Sequence, residues 1–342
     1  MKPPLPLRHI STLNQGSPSM EIDGARILVT GGCGLIGSTT IDLLLREHKP
    51  KQILIFDNLS RGTTRNVTQA LKDPRVKLIK GDIRDVPTVH RITQGMDAVI
   101  HMATLRITAC ATEPREALGV MCDGSFNVLE AAHMAGVQKV VTASTASIYG
   151  HADVFPTRED HHPYNNRTWY GASKIMLEGL LRSFNDMYGL RYVVLRYFNV
   201  YGPRMDTHGK YTEVLIRWMD RIANGQPPLI LGDGSATMDF VYIEDVARAN
   251  AIALQSDVSD DVFNIASGIE TSLNELASTL LDVMKCNLKP EYGPERKVNS
   301  VSRRLADTSK AEKLLGFRAR VGLREGLERL VSWWHANREM VS

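Results

Sequence analysis

Ile27-Leu28-Val29-Thr30-Gly31-Gly32-Cys33-Gly34-Leu35-Ile36-Gly37-Ser38 decides the fold. An apolar strand runs into spaced glycines and then into a helix. Gly31 or Gly32 lets the chain turn sharply as the strand ends. Gly34, without a Cβ, lets a pyrophosphate approach the main chain, and Gly37 lets the helix pack close to the strand. The helix opens at Leu35 and Ile36 and aims its free amides and positive end at the phosphates. A glycine triplet alone also suits any tight βα turn; here a strand precedes it and a helix follows. The next strand, 51–56, ends in Asp57 and Asn58, with Asp57 20 residues beyond Gly37. A carboxylate there takes the ribose hydroxyls of an adenosine and repels a 2′-phosphate. The spacing therefore predicts NAD rather than NADP, a preference that Arg61 nearby weakens a little. The plainer reading of Asp57 is a strand-end turn residue.

The 342 residues are 43% hydrophobic and 23% charged, enough apolar material for a large core. Net charge is +3 without a basic run, which argues against nucleic acid as a partner. Cys33, Cys110, Cys122 and Cys286 are far apart and lack metal-ligand spacing, so no metal is expected. No apolar run is long enough to span a membrane. Residues 1–20 carry Pro3, Pro4, Pro6 and Pro18 and lack the apolar core of a signal peptide. They read as a disordered extension on a cytoplasmic protein.

From Ala25 onward strands and helices alternate, which predicts an α/β fold with a doubly wound parallel sheet. Strands are expected at 26–30, 52–56, 76–80, 97–101, 139–143 and 191–196, with one long helix over 115–135. Gly81-Asp82-Ile83 ends the third strand, in place for an adenine edge or for an ordinary turn. Ser144-Thr145-Ala146-Ser147-Ile148-Tyr149-Gly150 sets hydroxyls just past the fifth strand, the edge where such sheets bind ligands. Tyr170-Gly171-Ala172-Ser173-Lys174 opens an amphipathic helix, and Tyr170 and Lys174, four apart, share one face. After Gly202 segments shorten, as in an appended lobe. The expected division is a dinucleotide-binding domain over 21–200, with 239–260 returning to it, and a smaller α/β substrate lobe from 201–238 and 261–342.

At Tyr170 and Lys174 the sequence resembles the extended short-chain dehydrogenase/reductase family, specifically its nucleotide-sugar epimerases and dehydratases. The resemblance runs from about Arg26 to Trp334. It is carried by VTGGCGLIG, Asp57, GDIRD, His101-Met102-Ala103, STASIYG, YGASK, RYFNVYGPR, GDGSATMDFVYIEDVA, FNIASG and DTSKAEKLLGF. It implies a Rossmann domain that binds NAD through Gly31, Gly34, Leu35, Ile36, Gly37, Asp57, Asn58, Asp82, Ile83, Ala103 and Lys174. The second lobe is expected to bind a nucleoside-diphosphate sugar.

Oxidising a sugar alcohol needs a base and a hydride acceptor. Tyrosine, with a pKa near 10, is a poor base at neutral pH until cations favour its phenolate. The resemblance gives that work to Tyr170 and Lys174, and gives Thr145 the relay of the proton. The bland alternative is a packing tyrosine and a solvated lysine. Related 4,6-dehydratases carry Asp-Glu after this threonine, and related decarboxylases keep the glutamate; here the positions are Ala146 and Ser147. Without those acids, 4-epimerisation through a transient ketone is expected, and a 4-ketosugar reductase is the runner-up. From another class, a noncatalytic NAD-binding scaffold remains. Substrate contacts implied are Arg106, Thr145, Ser147, Tyr170, Asn199, Arg296 and Arg304. Three residues depart from the family pattern. Met238 replaces a phosphate-binding arginine, Met121 replaces an asparagine near the cofactor, and Arg304 stands at the position that decides whether an N-acetyl group fits. Hexose, N-acetylhexosamine and hexuronate stay open, with uridine first among the bases. A homodimer through the helices over 115–135 and 170–188 is also implied.

Overall fold

The computed structural model describes residues 19–207, 213–295 and 301–338. The strand that opens the chain's first motif lies inside a seven-stranded parallel sheet, next to its middle strand. Its strands are β1 (Arg26–Thr30), β2 (Gln52–Asp57), β3 (Val76–Lys80), β4 (Ala98–His101), β5 (Lys139–Thr145), β6 (Tyr192–Tyr197) and a later one, Asp261–Ile265. Counting the short strand β7 (Asn199–Tyr201), β8 (Leu229–Leu231) and β9 (Thr237–Tyr242) in the second lobe, Asp261–Ile265 is β10. The order is β10-β6-β5-β4-β1-β2-β3. The winding reverses between β1 and β4, and in open sheets a crevice forms at that point.

Both faces of the sheet are covered, which is why its strands are apolar at nearly every position. Ile27, Val29, Ile53 and Ile55 point to one face. There they meet Ile41 and Leu44 of α1 (Leu35–Glu47) and Val246 and Leu254 of helix Ile243–Gln255. Leu28, Leu54 and Val140 point to the other face. There they meet Val89 of α2 (Val86–Thr93) and Val128 and Leu129 of helix Ser125–Met134. Leu177 and Leu181 of helix Trp169–Tyr188 complete that layer. In chain order α3 is Ile107–Thr112, α4 Pro114–Leu118, α5 Ser125–Met134, α6 Trp169–Tyr188, α7 Val214–Ala223 and α8 Ile243–Gln255. The second lobe adds a three-stranded sheet in which β9 lies between β7 and β11 (Glu270–Ser272), and a pairing of β8 with β12 (Glu291–Gly293). Its core gathers Trp218, Leu276, Leu280, Leu327, Leu330 and Trp334 from α7, α9 (Leu273–Val283) and α11 (Leu323–Arg338). α10 (Ser309–Leu315) packs Ala311 and Leu315 onto the large sheet's core.

Three expectations change. β10 pairs with β6 through Asp261↔Val193 to Ile265↔Tyr197, so 261–265 belongs to the large sheet and not to the second lobe. The helix α8 returns to the first layer and packs on α1, and the strand after it is delivered to the open edge of β6. The single helix expected over 115–135 is broken by a π-helical turn at Gly119–Gly124. Of the expected N-terminal extension, residues 1–18 lie outside the described residues, whereas Met20 is buried in the core.

α8 is locked to the sheet by a polar residue. Asn250 is fully buried; its Oδ1 accepts from the Tyr197 hydroxyl at 2.7 Å, and its Nδ2 donates to Thr40 Oγ1 at 3.1 Å. Asn250→Ala leaves both hydroxyls without that partner, at about 1–3 kcal/mol for each buried polar group. The expected outcome is a loss of about 2–4 kcal/mol, read from the urea unfolding midpoint at unchanged m-value.

Candidate active site

The open crevice at the reversal between β1 and β4 is lined by the glycine loop, Asp57, Asn58, Asp82, Ile83, Ala103 and Thr104. Gly31 takes the sharp turn, at φ +67, and a Cβ on it would meet Ala103 N at 2.7 Å. A Cβ on Gly37 would meet Gly31 O at 2.6 Å, so this glycine serves the close packing of α1. Gly34 differs: a Cβ there meets nothing closer than Gly31 O at 3.3 Å, although the residue lines the crevice. Its bareness faces the crevice, as a pyrophosphate cradle requires. No side chain caps α1, whose N-cap is Gly34. These features fit a dinucleotide laid across the first helix.

Asp57 closes the other end. It is 8% exposed, and its oxygens accept the amides of Cys33 at 2.9 Å and Leu59 at 2.8 Å. It ties the turn, as the plainer reading expects, and its oxygens keep lone pairs beyond the two amides. Burial raises its pKa, opposed by the two amides. Asp82 is gripped by Arg84 through Nε at 2.9 Å and Nη2 at 2.8 Å, and takes Asn58 Nδ2 at 3.0 Å. The Arg84 hydrogen bonds hold its carboxyl well below the usual range. Arg61 pairs with Glu213 at 3.2 Å.

The strand ends bring the predicted reacting residues together. Thr145 ends β5 and accepts the Ser147 amide at 3.1 Å as the chain turns into Ala146–Tyr149. Thr168 caps α6 by accepting from Gly171 N at 3.0 Å, which fixes the first turn where Tyr170 sits. The Tyr170 hydroxyl lies beside the side chains of Thr145 and Thr104, both of which favour its phenolate. Lys174 is buried one turn on; its Nζ donates to Ala143 O at 2.8 Å and lies 6.0 Å from the Tyr170 ring centroid. The expectation that Lys174 would lower the tyrosine's pKa is not what this protein-only site displays. Burial raises Tyr170, and burial pulls Lys174 down to about 8.

Thr104 was not singled out in the sequence, although it directly follows His101-Met102-Ala103 at the ligand-bearing edge. Nor was Glu213, which joins Arg61 to Arg106. Arg106, expected at a phosphate, is held by Glu213 and lies 3.6 Å from Asp206. Asn199 Nδ2 donates to Asp239 O at 3.1 Å, which ties β7 to β9. Ser147 sits in the turn after Thr145; Arg304 is 8% exposed and lines a small pocket with Ala146, Tyr149, Phe155 and Phe198. Arg296 lies outside the described residues. Met121 has a polar task. Its Sδ accepts from the Thr104 hydroxyl at 3.1 Å and from Leu105 N at 3.2 Å, and the π-helical turn carries it there.

The NAD dependent epimerase/dehydratase family model matches residues 27–266. The chain belongs to this family. NAD is its cofactor. It is 33% identical to the UDP-glucose 4-epimerase of Mycolicibacterium smegmatis over 90% of this chain and 98% of that one. Its fold matches the UDP-glucose 4-epimerase of Thermotoga maritima solved with UDP-glucose, at a TM-score of 0.85 and 34% identity over 92% and 99% of the two chains. It also matches the UDP-glucuronic acid 4-epimerase of Bacillus cereus solved with UDP-glucuronic acid and NAD, at a TM-score of 0.83 and 26% identity over 91% and 99%. No helix among the described residues is long and apolar enough to cross a membrane.

His101, at the end of β4, is 1% exposed between two hydroxyls: Nδ1 lies 2.7 Å from Thr30 Oγ1 and Nε2 3.0 Å from Ser125 Oγ. Burial, then the nearby Lys174 charge, lowers its pKa to about 3. The folded ring is therefore neutral where an unfolded one, with a pKa near 6.5, takes a proton. Its contribution to stability is whole above pH 6.5 and lost as pH falls toward 3. The slope is at most about 1.4 kcal/mol per pH unit. His101→Asn is expected to flatten the stability curve by up to that amount between pH 6 and 4, measured by urea unfolding at each pH.

Proposed function

We propose that the chain interconverts the C4 epimers of a uridine-diphosphate sugar, and that the sugar is a hexuronate. The observation that supports the reaction is the Tyr170 hydroxyl set beside Thr145, whose turn continues with Ala146 and Ser147 rather than with acids. Bound NAD supplies a hydride acceptor and donor at C4. Tyr170 takes the 4-hydroxyl proton and Thr145 relays it. Lys174 stays cationic at neutral pH because its pKa remains about 8, and two of its three hydrogens are left beyond the Ala143 bond. A positive charge one turn from the phenol favours the phenolate against burial. Ketone formation needs only this proton path. Dehydration also needs proton transfer at neighbouring carbons, for which Ala146 and Ser147 offer no carboxyl group.

Arg304 supports the choice of sugar. A guanidinium buried beside Ala146 and Phe198 is costly to desolvate, and burial pulls its pKa down to about 10. A cation at this position suits a sugar carboxylate better than a neutral hexose. Planar guanidinium–carboxylate pairing also adds direction. The family resemblance further supports a homodimer through α5 and α6, where Phe126, Met134, Met176 and Met187 are exposed apolar residues.

The test is turnover of UDP-glucuronate, UDP-glucose and UDP-N-acetylglucosamine followed by NMR of the anomeric protons. The expected result is a 4-epimer formed with the highest kcat/KM from UDP-glucuronate and abolished by Tyr170→Phe. Arg304→Ala is expected to raise KM for UDP-glucuronate at least about tenfold, the loss of roughly 1.4 kcal/mol or more. Preference for a neutral sugar overturns the role of Arg304 and leaves epimerisation standing; a deoxy product overturns epimerisation.

A further inference from the structure

The segment between Gly150 and Tyr170 carries a second cluster that the chemistry above does not use. Asp153, His161 and His162 each direct a ligand atom to one point, and the three atoms lie within 4.8 Å of one another. His161 Nε2 is 2.7 Å from Asp153 Oδ1, and His162 Nε2 is 3.6 Å from Asp153 Oδ2. The two imidazoles lie 4.6 Å apart, tilted by 32°. His161 is the anchored member: its side chain is 5% exposed and its ring stands edge-on to Tyr149 at 5.8 Å.

The hydrogen-bond roles are fixed by elimination. His161 Nδ1 lies 2.8 Å from the His162 carbonyl oxygen, which only accepts, so Nδ1 carries the hydrogen. In a neutral ring Nε2 then presents a lone pair, which takes the Asp153 amide at 3.3 Å and also faces the Asp153 carboxylate oxygen at 2.7 Å. A cation between ring and carboxylate, a second proton or a metal ion, would turn that close contact of two acceptors into an attraction. The second histidine favours the metal. At 3.6 Å its Nε2 is too far for a hydrogen bond to the carboxylate, and close to the roughly 3.4 Å between ligand atoms around a tetrahedral zinc with bonds of about 2.0–2.1 Å. A small rotation of the exposed Asp153 carboxylate equalises the two spacings. The Nδ1–H donated to a backbone carbonyl is the outer-shell bond that orients metal-bound histidines.

We propose that Asp153, His161 and His162 bind a divalent transition-metal ion of the zinc type, with water completing four ligands. Two imidazoles and one carboxylate suit such an ion better than calcium or magnesium, which prefer oxygen alone. The ion would staple the β5–α6 segment. That segment is also tied down just beyond Arg304: Thr157 N donates to Leu305 O at 2.8 Å, and Asp307 N donates to Thr157 O at 2.9 Å, on either side of Ala306.

The test uses the full chain freed of metal with a chelator and titrated with zinc chloride alone in a calorimeter, with cobalt(II) as a spectroscopic substitute. The expected result is one equivalent bound, a tetrahedral cobalt spectrum and a raised Tm. His162→Gln changes an exposed side chain and keeps the fold, and His161→Gln removes the anchor; each is expected to weaken binding at least about tenfold. No binding overturns the proposal, as does binding that neither variant weakens, which would point to the cysteines. The readout is independent of turnover, so the epimerase reading and this one fail separately.

Discussion

Glu178 and Arg196 face each other inside the protein, and the reacting residues depend on their pairing. Arg196 Nε donates to Glu178 Oε1 at 3.0 Å and Nη2 to Oε2 at 2.7 Å, in a two-pronged bond. Glu178 also accepts the Ser144 hydroxyl at 2.5 Å, and Arg196 Nη1 donates to the Tyr149 hydroxyl and to Glu159 O, both at 2.8 Å. Tyr149 passes its own hydrogen to Asn264 Oδ1 at 2.6 Å. One polar chain thus links α6, β5, β6 and β10. A buried ion pair adds little net stability because desolvation cancels much of the attraction. What it adds here is position: Ser144 is next to Thr145, and Glu178 is one turn beyond Lys174. If the pair were broken, two elements whose side chains must meet within hydrogen-bond distance would lose their shared anchor.

The charges around the reacting tyrosine are arranged to avoid one another. His101 and Lys174 share the same interior, and two imidazole partners that are hydroxyls let the ring stay neutral at no loss of hydrogen bonds. Lys174 keeps its charge by resting on the Ala143 carbonyl. At the crevice mouth the opposite solution appears, with Arg61 and Arg106 brought to the single carboxylate of Glu213. Substrate phosphates arriving there would exchange partners with that carboxylate rather than meet bare guanidinium groups. Met121 is a third solution: a soft sulfur acceptor takes two donors where an amide oxygen would serve, inside an apolar setting of Cys110 and Ala117.

Local order was legible because it is written in short range. Strand β1, the turn at Gly31 and the helix after it follow from the apolar run and the glycine spacing, and Tyr170 and Lys174 share a face because a helix makes them do so. What the chain order hides is partnership across distance. Nothing in Asp261–Ile265 says that it extends the sheet beside β6, because a five-residue strand carries no mark of its neighbour. The π-helical turn was hidden because apolar spacing across Gly119–Gly124 still resembles a helix; the departure appears only when Met121 is seen reaching Thr104 and Leu105. Glu213 was hidden for the same reason: its value lies in two arginines that are 107 and 152 residues away.

The departures from the family pattern lie around the reacting atoms rather than on them. Thr145, Tyr170 and Lys174 keep residue types that the proton path needs, and the glycine loop keeps the geometry that a pyrophosphate needs. Arg304 and the β5–α6 segment instead shape what lies beyond C4. Gly150 sets that segment's course: at φ +58 it takes a conformation that side chains rarely adopt, and a Cβ would strike Asn165 O at 1.9 Å. The chain therefore doubles back as soon as it leaves Tyr149, and Thr157 is brought to pair with Ala306. One backbone constraint at Gly150 and one pairing at Thr157 thus hold the wall opposite Arg304. On the proposed reading, that wall and the Arg304 charge beside it select the sugar, while the chemistry at C4 falls to Thr145, Tyr170 and Lys174.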